Sequence, residues 1–426
     1  VLISTFFILQ SHLLFEFMFE SIDNNIIWQI YMYQPIVYKI SDAGDIFESD
    51  VEAKFSKNID YPRFSLGFHH FIQQTKDKMP DTTKQFKDKK KVYLVMNPFE
   101  VVVDDYDGSI LKVGREYFGG SDDIKGRSFF KMWEILIMFD LFDSGKSIVS
   151  AHLREGSDMG FVMAVMMFRD KFGSGKADKH YNVVDDGEKG LGIEGVTDIG
   201  IGKAGGVKAQ LITATSGFKW GYNNTQEQEA FRVILGEIIN ALRMQIKGGT
   251  FVCRIFETFT ETVTKLISIL AFYYDQVYVV KPFVSRMSSS EKFLVCIGFK
   301  DSKNVDILER VLDKLGTKFI VDWFPDYQLP DGLKTTIIQF NRDLANGQFI
   351  MLNQMVMFIK KQNYRGEEYI RKRAEQIDAN KWWISTFLLS PKDFKTKRKI
   401  IMDLVDMSIS TNEKKVHNLL ELLDFS

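Results

Sequence analysis

From residue 147 to residue 298 the chain alternates short apolar runs, rich in branched side chains, with longer stretches of helical periodicity. Residues 147–153, 209–214, 250–256, 276–280 and 292–298 read as strands. Residues 127–139, 161–172, 226–246 and 260–271 read as helices. Strands separated by helices of this length lie mostly parallel in one sheet with helices on both faces, so the expected class is α/β and doubly wound. The last two strands are only a loop apart, around residues 281–291, which suits an antiparallel edge. Two further strands are expected at 92–96 and 100–103, and the glycine-rich segment 187–206 reads as irregular.

The flanks differ in character. Residues 1–91 form an aromatic-rich N-terminal extension that ends in a lysine-rich polar stretch, 73–91, read as a solvated linker or surface loop. Its first twenty residues are mostly apolar, with no formal charge before Glu16. They lack the positive region and small-residue cleavage site of a signal peptide, and a buried helix is expected there rather than a membrane span. Residues 301–426 are mainly helical, with helices expected at 305–315, 340–361, 366–380 and from 392 onward. The organisation expected is therefore an extension over 1–91, an α/β domain over 92–300 and a helical extension over 301–426.

A formal charge of −1 over 426 residues excludes a uniformly basic nucleic-acid binder, so any such site has to be a local patch. Two cationic clusters, 371–373 and 392–399, read either as solvated helix faces or as an RNA-contacting surface. Cys253 and Cys296 cannot build a disulfide framework and fit an intracellular, reducing compartment. Six scattered histidines show no ligand spacing, and no metal site is expected.

The stretch KGGTFVCRIFETFTETVTKLISILAFYYDQVYVVKPFVSRMSSSEKF (247–293) runs from a Gly-Gly turn through strand, helix and strand to Lys281-Pro282 and a Ser-Arg…Ser-Glu loop. With MNPFE (96–100), KMWEIL (131–136) and TQEQEAF (225–231), it resembles the FtsJ-like RNA ribose 2′-O-methyltransferases, most closely their cap-type branch in large DNA viruses and some eukaryotes. The resemblance covers roughly residues 92–300. It implies a Rossmann-like sheet, S-adenosylmethionine as cofactor, an RNA substrate, and the cytoplasm, a viral factory or a virion as setting. On the cofactor side it points to Glu155, Gly156, Gly160 and Phe161 at the turn from the first strand into its helix, where glycines let backbone approach a ligand. Asp198 is the candidate for the adenosine side. The turn departs from the family at Ser157-Asp158-Met159, where Pro-Gly-type residues are expected, and these side chains would crowd the methionine end of the cofactor.

For catalysis the resemblance implies a Lys-Asp-Lys-Glu tetrad. Lys131 stands at the first lysine and Glu291 at the glutamate, but Thr215 stands at the aspartate and Arg254 at the second lysine. Arginine stays protonated in proteins and cannot act as a general base. Losing a positioned acid–base group costs roughly 10²–10⁴-fold in rate. The expected protein is a family member with a degenerate site, serving as an RNA-binding or structural subunit of a larger assembly. The alternative is an active mRNA cap or rRNA ribose 2′-O-methyltransferase. In either case Lys281, Ser285 and Arg286 are candidates for the RNA-facing side of the cleft.

Overall fold

In the computed structural model the described residues are 33–41, 43–48, 52–58, 66–78, 96–100, 116–119, 126–155, 159–173, 177–215, 217, 225–361 and 366–424. They fall almost entirely in the compact unit Pro35–Ser426. The expected helix in the first twenty residues lies outside them, as does most of the expected strands at 92–96 and 100–103.

An eight-stranded sheet organises this unit. In chain order its strands are β1 (Ile36–Lys39), β3 (Val149–Leu153), β4 (Lys179–Val184), β5 (Val196–Gly200), β6 (Ala209–Ala214), β7 (Gln245–Ile255), β8 (Tyr274–Lys281) and β9 (Lys292–Phe299). A separate pair joins β2 (Ala53–Ser56) to β10 (Phe319–Trp323). The order across the sheet is β1-β8-β9-β7-β6-β3-β4-β5. From β5 to β7 all pairs are parallel, whereas β9 runs antiparallel between β7 and β8. The parallel strands β6 and β7 carry apolar runs, as strands covered on both faces do. The antiparallel strand expected at the edge is internal instead. Strand β1, from the N-terminal flank, pairs with β8 and takes the edge.

The helices are α1 (Leu66–Asp77), α2 (Arg127–Met138), α3 (Gly160–Phe172), α4 (Gln226–Met244), α5 (Glu261–Tyr273), α6 (Val305–Leu315), α7 (Asp331–Lys361), α8 (Glu367–Phe387) and α9 (Phe394–Asp424). Several bounds differ from expectation for physical reasons. Residues 187–206 are not wholly irregular: they contain β5 and a 3₁₀ turn, Ile201–Gly206, and β5 is an edge strand only partly buried, so it carries no apolar run. The polar stretch from residue 73 begins inside α1, where Gln73 and Thr75 are buried. Helix α7 starts nine residues before 340, because polar side chains such as Thr335, Thr336 and Gln339 occupy its buried face and blur the periodicity.

The C-terminal helices pack on this core. Trp133 Nε1 of α2 donates to Phe387 O of α8 (2.9 Å), and Phe172 of α3 stacks on Phe394 of α9 at 4.0 Å between centroids. Among the described residues no helix is long and apolar enough to cross a membrane. Within the parallel block, His152 and His180 hydrogen-bond to the Ser150 hydroxyl (2.9 and 2.7 Å), and His152 also meets Thr213 (2.8 Å), all inside the sheet.

One ion pair fastens the start of the parallel block. Arg169 near the end of α3 is 1% exposed. It donates to Asp178 (2.6 and 3.0 Å) and to the carbonyl oxygens of Lys146 and Ser144 (2.6 and 3.3 Å), while Asp178 also accepts the Ile148 N–H (2.8 Å). Breaking such a pair strands a buried charge. Asp178→Ala is expected to destabilise the fold by about 3–5 kcal/mol in urea denaturation. A cost under about 1 kcal/mol would show that water reaches the guanidinium.

Candidate active site

The strand order reverses at β3, whose neighbours are β4 and β6, and ligands of doubly wound sheets bind outside the carboxyl ends of the strands at such a point. Arg154 and Glu155 follow β3 there, Asp185 follows β4 and Thr215 follows β6. Beside them, α2 brings Lys131, β7 brings Arg254 and the loop before β9 brings Glu291.

Three of the four tetrad positions converge. Glu291 Oε2 accepts a short hydrogen bond from Lys131 Nζ and another from Ser285 Oγ (3.2 Å), and its Oε1 faces Arg254 Nη1 at 3.5 Å. Burial pushes the Glu291 carboxyl up, but the charges of Lys131 and Arg254 outweigh it and bring its pKa down to about 2. Burial pulls Lys131 below the ordinary lysine value, with Glu291 working against that. One carboxylate is thus met by two cations. The ammonium proton of Lys131 is already directed to Glu291, and Arg254 is a permanent cation.

Thr215 does not join them. Ala214 pairs with Cys253, which puts Thr215 on the strand beside Arg254, yet its hydroxyl donates to Arg154 O at 2.6 Å.

The residues expected on the cofactor side have mainly internal partners. Glu155 Oε1 accepts the Phe161 N–H (3.1 Å) and so caps the start of α3 with a negative charge. Phe161 is buried against Phe293, with 5.7 Å between centroids. A Cβ on Gly160 would lie 1.9 Å from Ser128 Oγ and 2.4 Å from Phe129 N, so this glycine is required by the close approach of α3 to α2. Gly156, with Ser157 and Asp158, lies outside the described residues. Asp198 accepts from Asn182 Nδ2 (2.7 Å), Leu191 N (3.0 Å) and Gly192 N (3.1 Å), which closes the 190–192 turn over it.

Sequence reading missed Asp185, whose carboxylate is held by Arg154 Nε (3.1 Å to each oxygen) and Nη2 (2.8 Å). Its only signal was a pair of aspartates closing a strand of mixed polarity. It also missed Glu134, three residues from Lys131 on α2. Burial lifts Glu134 to about 8, although it accepts hydrogen bonds from Trp383 Nε1 (2.7 Å), Phe283 N (2.6 Å) and Val284 N (3.1 Å). Asp185 at the end of β4 and Asp198 within β5 thus both have partners inside the protein.

The residues expected to face RNA are also drawn inward. Buried Lys281, whose pKa falls to about 7 through desolvation, donates to Ser289 O (2.7 Å) and Glu291 O (2.6 Å). Arg286 Nε donates to Glu100 Oε2 (3.0 Å).

These placements carry a pH signature. Glu291 has a folded pKa near 2 against an unfolded value of about 4.3, so its contribution to stability is complete above the unfolded value. That contribution is lost as pH falls toward 2, and it is on the order of 3 kcal/mol. Glu291→Gln is expected to flatten the acid limb of the stability–pH curve, measured by urea denaturation from neutral to acid pH. An unchanged acid limb in the variant would contradict the ion triad.

Residues 176–299 match the family model described as FtsJ-like methyltransferase. An uncharacterised protein of Acanthamoeba polyphaga mimivirus is 24% identical over 303 residues, covering 70% of this chain and 75% of that one. A cap-specific mRNA (nucleoside-2′-O-)-methyltransferase of Trypanosoma cruzi is 37% identical over 94 residues, covering 22% of this chain and 26% of that one. A protein of Caenorhabditis briggsae named as an inactive cap-specific mRNA (nucleoside-2′-O-)-methyltransferase is 30% identical over 191 residues, covering 42% of this chain and 22% of that one. The chain therefore spans only about a quarter of the length of these two cap-specific relatives. The segment that matches the FtsJ-like methyltransferase model supplies Thr215, Arg254 and Glu291 and lies on a Rossmann-like α/β sheet.

Proposed function

We propose that the protein is a non-catalytic member of the FtsJ-like 2′-O-methyltransferase group, retained as a subunit of a larger assembly. The observation that carries this reading is Arg254, which stands where the resemblance implies the catalytic lysine and is held on Glu291 at 3.5 Å. Methyl transfer to a ribose hydroxyl needs a group that can take its proton near neutral pH. Arg254 cannot, Glu291 is ionised with a pKa too low to help, Lys131 is bonded to Glu291, and Lys281, although its pKa falls to about 7, is held on Ser289 O and Glu291 O. One relative is itself named inactive, which makes such a loss plausible within the group.

Between the RNA-binding and structural roles, the surface favours the second. The cationic clusters meet acids of their own chain: Arg371 and Lys372 pair with Glu375 (3.2 and 2.8 Å), and Lys399 pairs with Asp403 (3.0 Å). Arg398 caps α2, donating to Phe139 O (2.6 Å) and Leu136 O (3.2 Å). Apolar side chains are exposed together on α1 and α7, where Phe71 meets Phe349 at 6.1 Å between centroids, with Ile350 beside it. Exposed apolar clusters of this kind mark protein contacts.

Transfer of labelled methyl from S-adenosylmethionine to capped and uncapped RNA tests the reading. The wild type is expected to give no product above background, and turnover on either RNA would overturn it in favour of an active cap or rRNA methyltransferase. A mobility-shift titration with the same RNAs separates the two non-catalytic roles. Weak binding abolished by modest salt is expected for the structural one, and tight salt-resistant binding would favour the RNA-binding one.

A further inference from the structure

We propose that Arg154 is the residue that shuts S-adenosylmethionine out of the crevice, an inference that rests on the non-catalytic reading above and adds a cause to it. Arg154 directly follows β3 and takes φ 49°, a left-handed conformation that L side chains rarely adopt. Such a conformation persists only where its surroundings over-determine it. Here they do: its N–H donates to Val183 O (2.9 Å), its carbonyl accepts the Thr215 hydroxyl (2.6 Å), and its guanidinium grips Asp185.

Asp185 occupies the position where a doubly wound sheet presents an acidic residue to ribose hydroxyls. A neutral hydroxyl competes poorly with a charged fork for the same oxygens. Of the neighbouring acids, Asp186 accepts Gly202 N (3.3 Å) and Asp198 closes the 190–192 turn.

The same geometry couples Arg154 to the altered tetrad. Thr215 can donate to the Arg154 carbonyl, whereas a carboxylate at 215 would set two acceptors against each other with no proton between them. Restoring the tetrad alone, as Thr215→Asp with Arg254→Lys, is therefore expected to leave the crevice closed.

Calorimetry of the full chain with S-adenosylhomocysteine tests this. Arg154→Gly is the main variant because glycine accepts the left-handed backbone, and Arg154→Ala is the second, with circular dichroism and melting temperature confirming that each folds. The wild type and the Thr215→Asp/Arg254→Lys variant are expected to show no saturable heat. Arg154→Gly is expected to gain saturable binding.

Folded Arg154 variants that do not bind would overturn the proposal while leaving the non-catalytic reading intact. A wild type that binds the cofactor but transfers no methyl would do the same. A wild type that binds and transfers methyl would overturn both.

Discussion

A carboxyl group taken out of water has to be met by partners, and helix α2 serves two of them, Glu291 in the loop before β9 and its own Glu134. It brings Lys131 to Glu291 at one end of the loop between β8 and β9. Three residues further on, one helical turn away, it brings Glu134 to the Phe283 and Val284 N–H groups at the other end of that loop. Lys281 closes the loop from inside through Ser289 O and Glu291 O. The antiparallel insertion of β9 between β7 and β8 depends on this loop turning back at a fixed place. Trp383 extends the arrangement to α8 by donating to Glu134. Removing a partner from either carboxylate leaves a buried charge or donor unmatched, which costs far more than a surface contact.

What the sequence made legible follows from this physics. Strands β6 and β9 and helices α2 to α6 carry dense apolar patterning, so their existence and approximate bounds could be read directly. Lys131 and Glu291 could be placed because the motifs around them lie on well-marked elements. Edge strands were not legible: β1 and β5 are short or half-exposed, and pairing partners far along the chain decide whether such segments become strands at all. Side-chain direction was not legible either. Nothing in HLREGS says that Arg154 folds onto Asp185, thirty-one residues on, or that Gly160 is required by a helix contact.

The motif MNPFE shows the same division. It could be noticed as a pattern, but its work is packing: Glu100 is fully buried, accepting from Asn97 Nδ2 (2.8 Å) and Arg127 Nη1 (3.0 Å) as well as from Arg286. An arginine that sequence reading turns toward RNA is thereby turned toward the protein. The cationic cluster at 392–399 behaves similarly, since Arg398 lies along the carbonyl end of α2, where positive charge is favoured by unpaired carbonyls. Among the described residues, these cations meet partners within the protein.

The polar groups gathered at the carboxyl edge of the sheet are matched by the protein itself. In an active site, acid–base groups are held slightly mismatched so that protons can move. In this chain Glu291 has two cations, Asp185 has a charged fork, and Thr215 has a carbonyl. Each contact is locally favourable. Arginine at 254 deepens this trend, because its charge cannot be removed and so helps keep Glu291 ionised across the physiological range. Satisfaction of polar groups thereby supports the fold, because the contacts that hold α2 and the loop before β9 also fix the side chains of the crevice.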